Sequence, residues 1–181
     1  MRVISGSARG SKLFCPEGMA IRPTHDRVKE ALFSMLGMQV ASASVLDLFA
    51  GTGALGIEAL SRGASSAVFV DVSQPSLKVV RDNLNKTHLE ASATLVNSDF
   101  STYLANTNEK FDLIFIDPPY AEAFLLPALK TIAQRKLLNE NGIIYCESDT
   151  EPPTEIMDWF CVHRDKKYGR ARILLLKEML L

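Results

Sequence analysis

Asp117-Pro118-Pro119-Tyr120 is the stretch of this chain best equipped for chemistry. Two consecutive prolines cannot extend a strand ladder or open straight into a regular helix, because each lacks an N–H and restrains the residue before it. The rigid loop they form fixes the Asp117 carboxylate and the Pro118 carbonyl as two hydrogen-bond acceptors, and Pro119 leads into Tyr120, which can offer a flat face beside them. Acceptors next to an aromatic face suit a planar ring that carries an amino group. A plainer use is open to the same residues: a proline strand terminator with a capping acid and a packed tyrosine.

A second set lies upstream, from Val45 to Gly56. An apolar run carrying one acid, Asp47, passes through Phe49 into Gly51, Gly53 and Gly56, while Leu55, Glu58, Ala59 and Arg62 take up helical spacing. Strand, glycine turn and helix in that order leave unpaired N–H groups at the helix start, with side chains too small to keep a ligand off the backbone. The glycines have the G-x-G-x-x-G spacing of dinucleotide sites, and Asp71 follows Gly51 by 20 residues at the end of a second apolar run. A nicotinamide cofactor therefore fits this turn, as does another nucleotide-like ligand. An oxidoreductase, however, leaves Asp117 to Tyr120 without a purpose and finds no acid–base His or Tyr-Lys pair.

The elements that must position these residues alternate. Short β-prone pieces around Val3-Ile4-Ser5 and Lys12-Leu13-Phe14 predict a small hairpin within residues 1–22. Thr24 as N-cap and Val28, Ala31, Leu32, Met35 and Leu36 at helical spacing predict an amphipathic helix ending at Gly37. Strands are then predicted at 45–49, 67–71, 94–96, 112–116 and 142–146, with helices at 54–62 and 74–87, a short one after Phe100, and one through Leu125, Leu129 and Ile132. Alternation of this kind gives an α/β fold, a mostly parallel sheet with helices on both faces. Residues 160–167 and 172–176 close the chain as a hairpin that adds an antiparallel member. The whole of 1–181 reads as one domain, with residues 1–40 as an N-terminal hairpin and helix extension.

At 181 residues, 47% hydrophobic and 23% charged, the composition is that of an ordinary globular domain. No apolar run approaches the ~20 residues of a membrane span, and the N-terminus lacks a signal-peptide core, so a cytoplasmic location is expected. Cys15, Cys146 and Cys161 are as scattered as His25, His88 and His163, and no metal site is expected. The net charge is −1, but its distribution is uneven. Arg2, Arg9, Lys12, Arg22, Arg27 and Lys29 outnumber the acids near the N-terminus, and Arg164, Lys166, Lys167, Arg170 and Arg172 crowd the C-terminus. Brought together, the two basic ends make a surface suited to phosphates.

Asp-Pro-Pro-Tyr after the fourth strand, with Asp47-Leu48-Phe49-Ala50-Gly51-Thr52-Gly53 after the first, resembles a Rossmann-like amino-methyltransferase dependent on S-adenosylmethionine (SAM). Met1 to Gly6, Arg22-Pro23-Thr24-x-Asp26-Arg27-Val28-x-Glu30-Ala31-Leu32-Phe33, Gly56 to Ala64 and Lys167-Tyr168-Gly169 extend the likeness to the bacterial 16S ribosomal RNA guanine-N2 methyltransferase family, over nearly the whole chain. The resemblance implies a seven-stranded class I methyltransferase fold. It implies that Asp47, Gly51 and Gly53 hold the methionine part of SAM, that Phe49 also belongs to the cofactor site, that Asp71 receives the ribose hydroxyls, and that Asp99 with Phe100 meets the adenine. Asp71 stands where the family more often has Glu. Asp117, Pro118, Pro119 and Tyr120 become the catalytic loop, and Arg2, Arg9, Lys12, Arg22, Arg27, Lys166, Lys167 and Arg170 the RNA surface. The implied partner is 16S rRNA, free or within the small ribosomal subunit, and the protein is expected to act as a monomer. An adenine-N6 or glutamine-N5 methyltransferase shares the Pro-Pro-aromatic core, and a non-catalytic RNA-binding or ribosome-assembly protein shares the fold.

Overall fold

The computed structural model describes residues 1–16, 24–118, 121–148, 151, 154–169 and 171–179. Helix α1 (Thr24–Leu36) buries Val28, Leu32, Phe33 and Leu36, the apolar spacing seen in the sequence, and a 3-10 turn at Gly37–Val40 leads into β1 (Ser44–Asp47). The alternation then runs α2 (Ala54–Ser61), β2 (Ser66–Asp71), α3 (Gln74–Thr87), β3 (Ala93–Asn97), α4 (Phe100–Asn106), β4 (Phe111–Ile116), α5 (Ala121–Arg135) and β5 (Leu138–Ser148). The chain closes with β6 (Phe160–Tyr168) and β7 (Ala171–Glu178).

These strands form one seven-stranded sheet in the order β3-β2-β1-β4-β5-β7-β6. The first five pair in parallel, while β7 runs antiparallel to both β5 and β6. The chain order reverses between β1 and β4, and open α/β sheets bind ligands at such a point, beyond the carboxyl ends of the strands. Alternate residues of each strand feed two cores. Val45, Phe69, Phe115 and Tyr145 pack with α1, α2 and α3 on one face, and Leu46, Ile114, Ile116 and Cys146 with α4 and α5 on the other. No described helix is long and apolar enough to cross a membrane.

Two elements differ from expectation. Strand β5 starts four residues before the predicted Gly142, because a register shift opposite Phe111 and Leu113 takes up the residues between Leu138 and Ile143. The N-terminal hairpin shrinks to a single antiparallel bridge, Arg2 with Lys12. Val3 and Leu13 N–H still bond within the segment, to the Ser11 and Met1 carbonyls at 3.0 and 3.1 Å, while other backbone donors go to helix α2: Ile4 and Ser5 N–H to the Glu58 carboxylate at 2.8 and 3.1 Å, Ser7 N–H to the Ser61 carbonyl at 2.8 Å, and Ala8 N–H to Ser61 Oγ at 2.9 Å. Gly6 permits this approach, since a Cβ there would lie 1.7 Å from the Ser61 carbonyl oxygen. The segment is a docked loop rather than an independent hairpin.

Glu58 is fully buried and also meets Lys29 Nζ at 3.1 Å and Arg62 Nε at 2.8 Å, while Lys29 Nζ donates to the Arg2 carbonyl at 2.6 Å. Four donors on one carboxylate offset the cost of burying its charge. Replacing Glu58 by Ala strands the buried Lys29 ammonium and frees the N-terminal loop, so the expected loss of stability is about 3–5 kcal/mol, read from urea unfolding. A loss below ~1 kcal/mol, the worth of an exposed ion pair, would mean that Val3, Ala8 and Leu13 hold the loop by apolar contact alone.

Candidate active site

Between β1 and α2 the chain turns at the carboxyl edge of the sheet. Gly51 and Gly53 take φ of 55° and 78°, the left-handed region that glycine tolerates best. A Cβ at Gly51 would meet nothing nearer than the Phe49 carbonyl at 4.0 Å, so the turn is open there. Gly56 serves packing instead, because a Cβ there would stand 2.3 Å from the Phe69 ring and push α2 off β2.

The N–H groups expected to face a ligand are largely engaged by the protein itself. Gly51 N–H donates to Asp71 Oδ2 at 2.8 Å, Gly53 N–H to the Ala50 carbonyl at 2.7 Å, and Gly56 N–H to Asp47 Oδ2 at 3.0 Å. Asp71 Oδ1 takes the Ser73 N–H at 2.8 Å. Two acids thus occupy the positions where a pyrophosphate would need donors, and leave those N–H groups unavailable to it. The donor set fits a ligand bearing positive charge and hydroxyls: a sulfonium with an ammonium near Asp47, and a ribose at the remaining lone pairs of Asp71. Asp47 is buried, and desolvation pushes its pKa up to about 8 against the pull of the Gly56 N–H, with the Asp117 and Asp71 charges adding to the rise.

Beyond β3, Asp99 caps α4 by accepting from Thr102 N–H at 3.0 Å and Ser101 Oγ at 2.5 Å, and these bonds hold its carboxyl well below the ordinary carboxylate range. The carboxylate is exposed and can also accept from an amino group. Phe100 is half-buried against Phe49 at 5.4 Å between ring centroids, and both rings meet Phe124 of α5, at 5.6 and 5.9 Å. The sequence pointed to Phe49 and Phe100 but not to Phe124, whose only mark was its position one turn past the Pro-Pro loop. Val72, 74% exposed beside Asp71, was missed for the same lack of a local signal; it leaves an apolar surface on the other side of the site edge.

Asp117 is half-buried and Pro118 buried, directly after β4 on the edge that carries Asp47 and Asp71. Pro119 and Tyr120 lie outside the described residues, as do Arg22 and Arg170. The N-terminal loop also reaches this edge. Asn83 of α3, fully buried, accepts Phe14 N–H at 2.6 Å and donates at 3.0 Å both to the Phe14 carbonyl and to the Thr52 carbonyl of the glycine turn.

Arg2, Arg9, Lys12 and Arg27 are at least partly exposed, as are Lys166 and Lys167 near the β6–β7 tip, which lies beyond the carboxyl end of β5. Helix α1 holds Arg2 through Lys29 and packs on β7, the strand paired with the one that carries Lys166 and Lys167. Two cations of the sequence clusters leave the free surface: Lys29 is buried on Glu58, and Arg172 is paired with Asp165 at 2.6 Å and Glu151 at 3.4 Å.

A family model described as conserved hypothetical protein 95 matches residues 1–177. The provisionally named rRNA methyltransferase YlbH of Bacillus subtilis (strain 168) is 39% identical over 98% of this chain and 99% of its own. Ribosomal RNA small subunit methyltransferase D of Escherichia coli (strain K12) is 36% identical over 94% of this chain and 86% of its own. Among solved structures, the Escherichia coli protein yhhF, provisionally named a methyltransferase, superposes with a TM-score of 0.87 at 34% identity, covering 98% of this chain and 97% of that one. With a parallel sheet closed by an antiparallel β7, acids at the ends of β1 and β2 and an Asp-Pro step after β4, the fold is the Rossmann-like class I methyltransferase fold, and the chain belongs to the bacterial small-subunit ribosomal RNA methyltransferase family.

Proposed function

We propose that this protein transfers the methyl group of SAM to the exocyclic N2 amine of a guanine in 16S rRNA, acting as a cytoplasmic monomer. The observation that carries the cofactor half is the pair of carboxylates, Asp47 and Asp71, turned onto the glycine turn where a dinucleotide would need free donors. The small-subunit ribosomal RNA specificity in the names of the relatives supports the acceptor half.

SAM supplies an electrophilic methyl whose leaving group is a neutral thioether. The residues here contribute binding and aim. Asp47 meets the ammonium, Asp71 the ribose, Asp99 the adenine amino group, and Val72 and Phe100 cover the ring. The guanine N2 lone pair is delocalised into the base. Hydrogen bonds from that amine to Asp117 and the Pro118 carbonyl localise it and direct it at the methyl, with Tyr120 stacked on the base. Catalysis is thus mostly positioning and electrostatics. A base within structured RNA must leave its stack to enter, while Arg2, Arg9, Lys12, Arg22, Arg27, Lys166, Lys167 and Arg170 hold the flanking phosphates.

Labelled methyl from SAM, offered with ribosomal material from cells lacking this protein, should appear after digestion as N2-methylguanosine in small-subunit RNA. Label in N6-methyladenosine or in protein would move the acceptor elsewhere on the same chemistry. Asp117→Ala should lower transfer by at least about a hundredfold and leave SAM affinity nearly unchanged; collapse of SAM binding would overturn the division of labour.

Asp47 gives a pH signature. Because its folded pKa lies near 8 and its ordinary value is 3.8, the native ligand-free protein holds a proton that the unfolded chain releases between those values. Stability contributed by this group therefore falls as pH rises from 3.8 toward about 8 and levels above it. Asp47→Asn, which still accepts the Gly56 N–H, should raise the ligand-free Tm near pH 8 relative to the wild type, with the gap closing toward pH 3.8. The same substitution should weaken SAM binding roughly tenfold to a hundredfold by removing a charged acceptor. An unchanged Tm difference across pH would show that Asp47 is ionised in the ligand-free protein.

A further inference from the structure

Strand β5 carries an acid that the mechanism above does not use. Phe115 of β4 and Tyr145 of β5 meet edge to face at 6.1 Å on the α1 side of the sheet, and Ile116 pairs with Cys146 as the last register pair of the two strands. Asp117, one residue past the end of β4, and Glu147, within β5, follow that last pair, and the charges of both reach the Tyr145 hydroxyl. Tyr145 is buried, and its hydroxyl donates to Glu147 Oε2 at 2.8 Å. Burial first, then the charges of Glu147 and Asp117, push the phenol pKa well up, so it keeps the proton with which it orients Glu147. The carboxylate is half-exposed, and its Oε1 takes no donor among the described residues.

Two acids at one end of neighbouring strands favour a ligand that brings donors to them. The Watson–Crick edge of guanine presents such donors in adjacent positions, N1–H and the N2 amine, whereas adenine presents a bare N1 lone pair. We propose that Glu147 Oε1 accepts the guanine N1–H while Asp117 and the Pro118 carbonyl hold the N2 amine, making Glu147 the residue that selects guanine over purines without an N1 proton. The assignment rests on the guanine acceptor proposed above. A purine with a bare N1 sets lone pair against carboxylate, and a site built to accept a proton rejects a partner that lacks one. Tyr145 acts here as a positioning residue.

The test places 2,6-diaminopurine, which keeps the 2-amino group and loses N1–H, at the methylated position of the same RNA. The wild-type protein should prefer guanine in kcat/KM by on the order of a hundredfold. Glu147→Gln, whose amide can donate to a bare N1 as well as accept from N1–H, should narrow that preference to within about tenfold. Tyr145→Phe, which keeps the acid and frees it, should retain the direction of the preference at reduced size. SAM affinity by calorimetry should be unchanged in both variants, marking them as folded. Equal use of the two bases by the wild type, or an undiminished preference in Glu147→Gln, overturns the role of Glu147 alone. Failure of the wild type to methylate guanine in any ribosomal RNA overturns it together with the proposed function, and the two failures are read in different samples.

Discussion

The glycine turn keeps its shape because two acids from neighbouring strands bind its backbone from opposite sides. Asp71 reaches across from β2 to the Gly51 N–H, and Asp47 reaches forward from β1 to the Gly56 N–H. A turn with two left-handed glycines has little shape of its own, so these bonds set the path along which any cofactor must lie. They also set its charge. Donors already satisfied by the two acids cannot receive a phosphate, and a cation beside an acid favours its charged form. The same glycine spacing that admits a dinucleotide elsewhere here suits a sulfonium nucleoside.

Around that turn the N-terminal extension is held by buried polar groups rather than by sheet pairing. Glu58 collects the backbone of Ile4 and Ser5 together with Lys29 and Arg62, and Asn83 joins Phe14 to Thr52. Each group is satisfied, so each is tolerated in the interior and specific in what it accepts. The extension that carries Arg2, Arg9 and Lys12 is consequently fastened to the helix that begins at the cofactor turn.

Much of the fold was legible along the chain because it is written in local periodicity. The α3 span 74–87, the β2 run and the C-terminal hairpin follow from apolar spacing and turn residues, and the observed elements match within a residue or two. Less of the site was legible. The spacing of Gly51, Gly53 and Asp71 marked a nucleotide-like ligand without saying which acid bonds which N–H. The basic clusters marked a surface without showing that Lys29 and Arg172 are already paired. Val72 and Phe124 carried no local mark, because an exposed valine and one more helical phenylalanine look ordinary until the sheet edge gathers them.

By itself the sequence determined the order of strands and helices, the glycine turn after β1, the Asp-Pro-Pro-Tyr motif after β4 and the distribution of charge, since each depends on residue type and near neighbours. Only the tertiary structure decided the partners. Ile4 with Glu58, Phe14 with Asn83 and Gly51 with Asp71 are separated by tens of residues in the chain. A hydrogen bond or an ion pair needs its atoms within about 3 Å of each other, and such closeness between distant residues exists only once the sheet has been assembled.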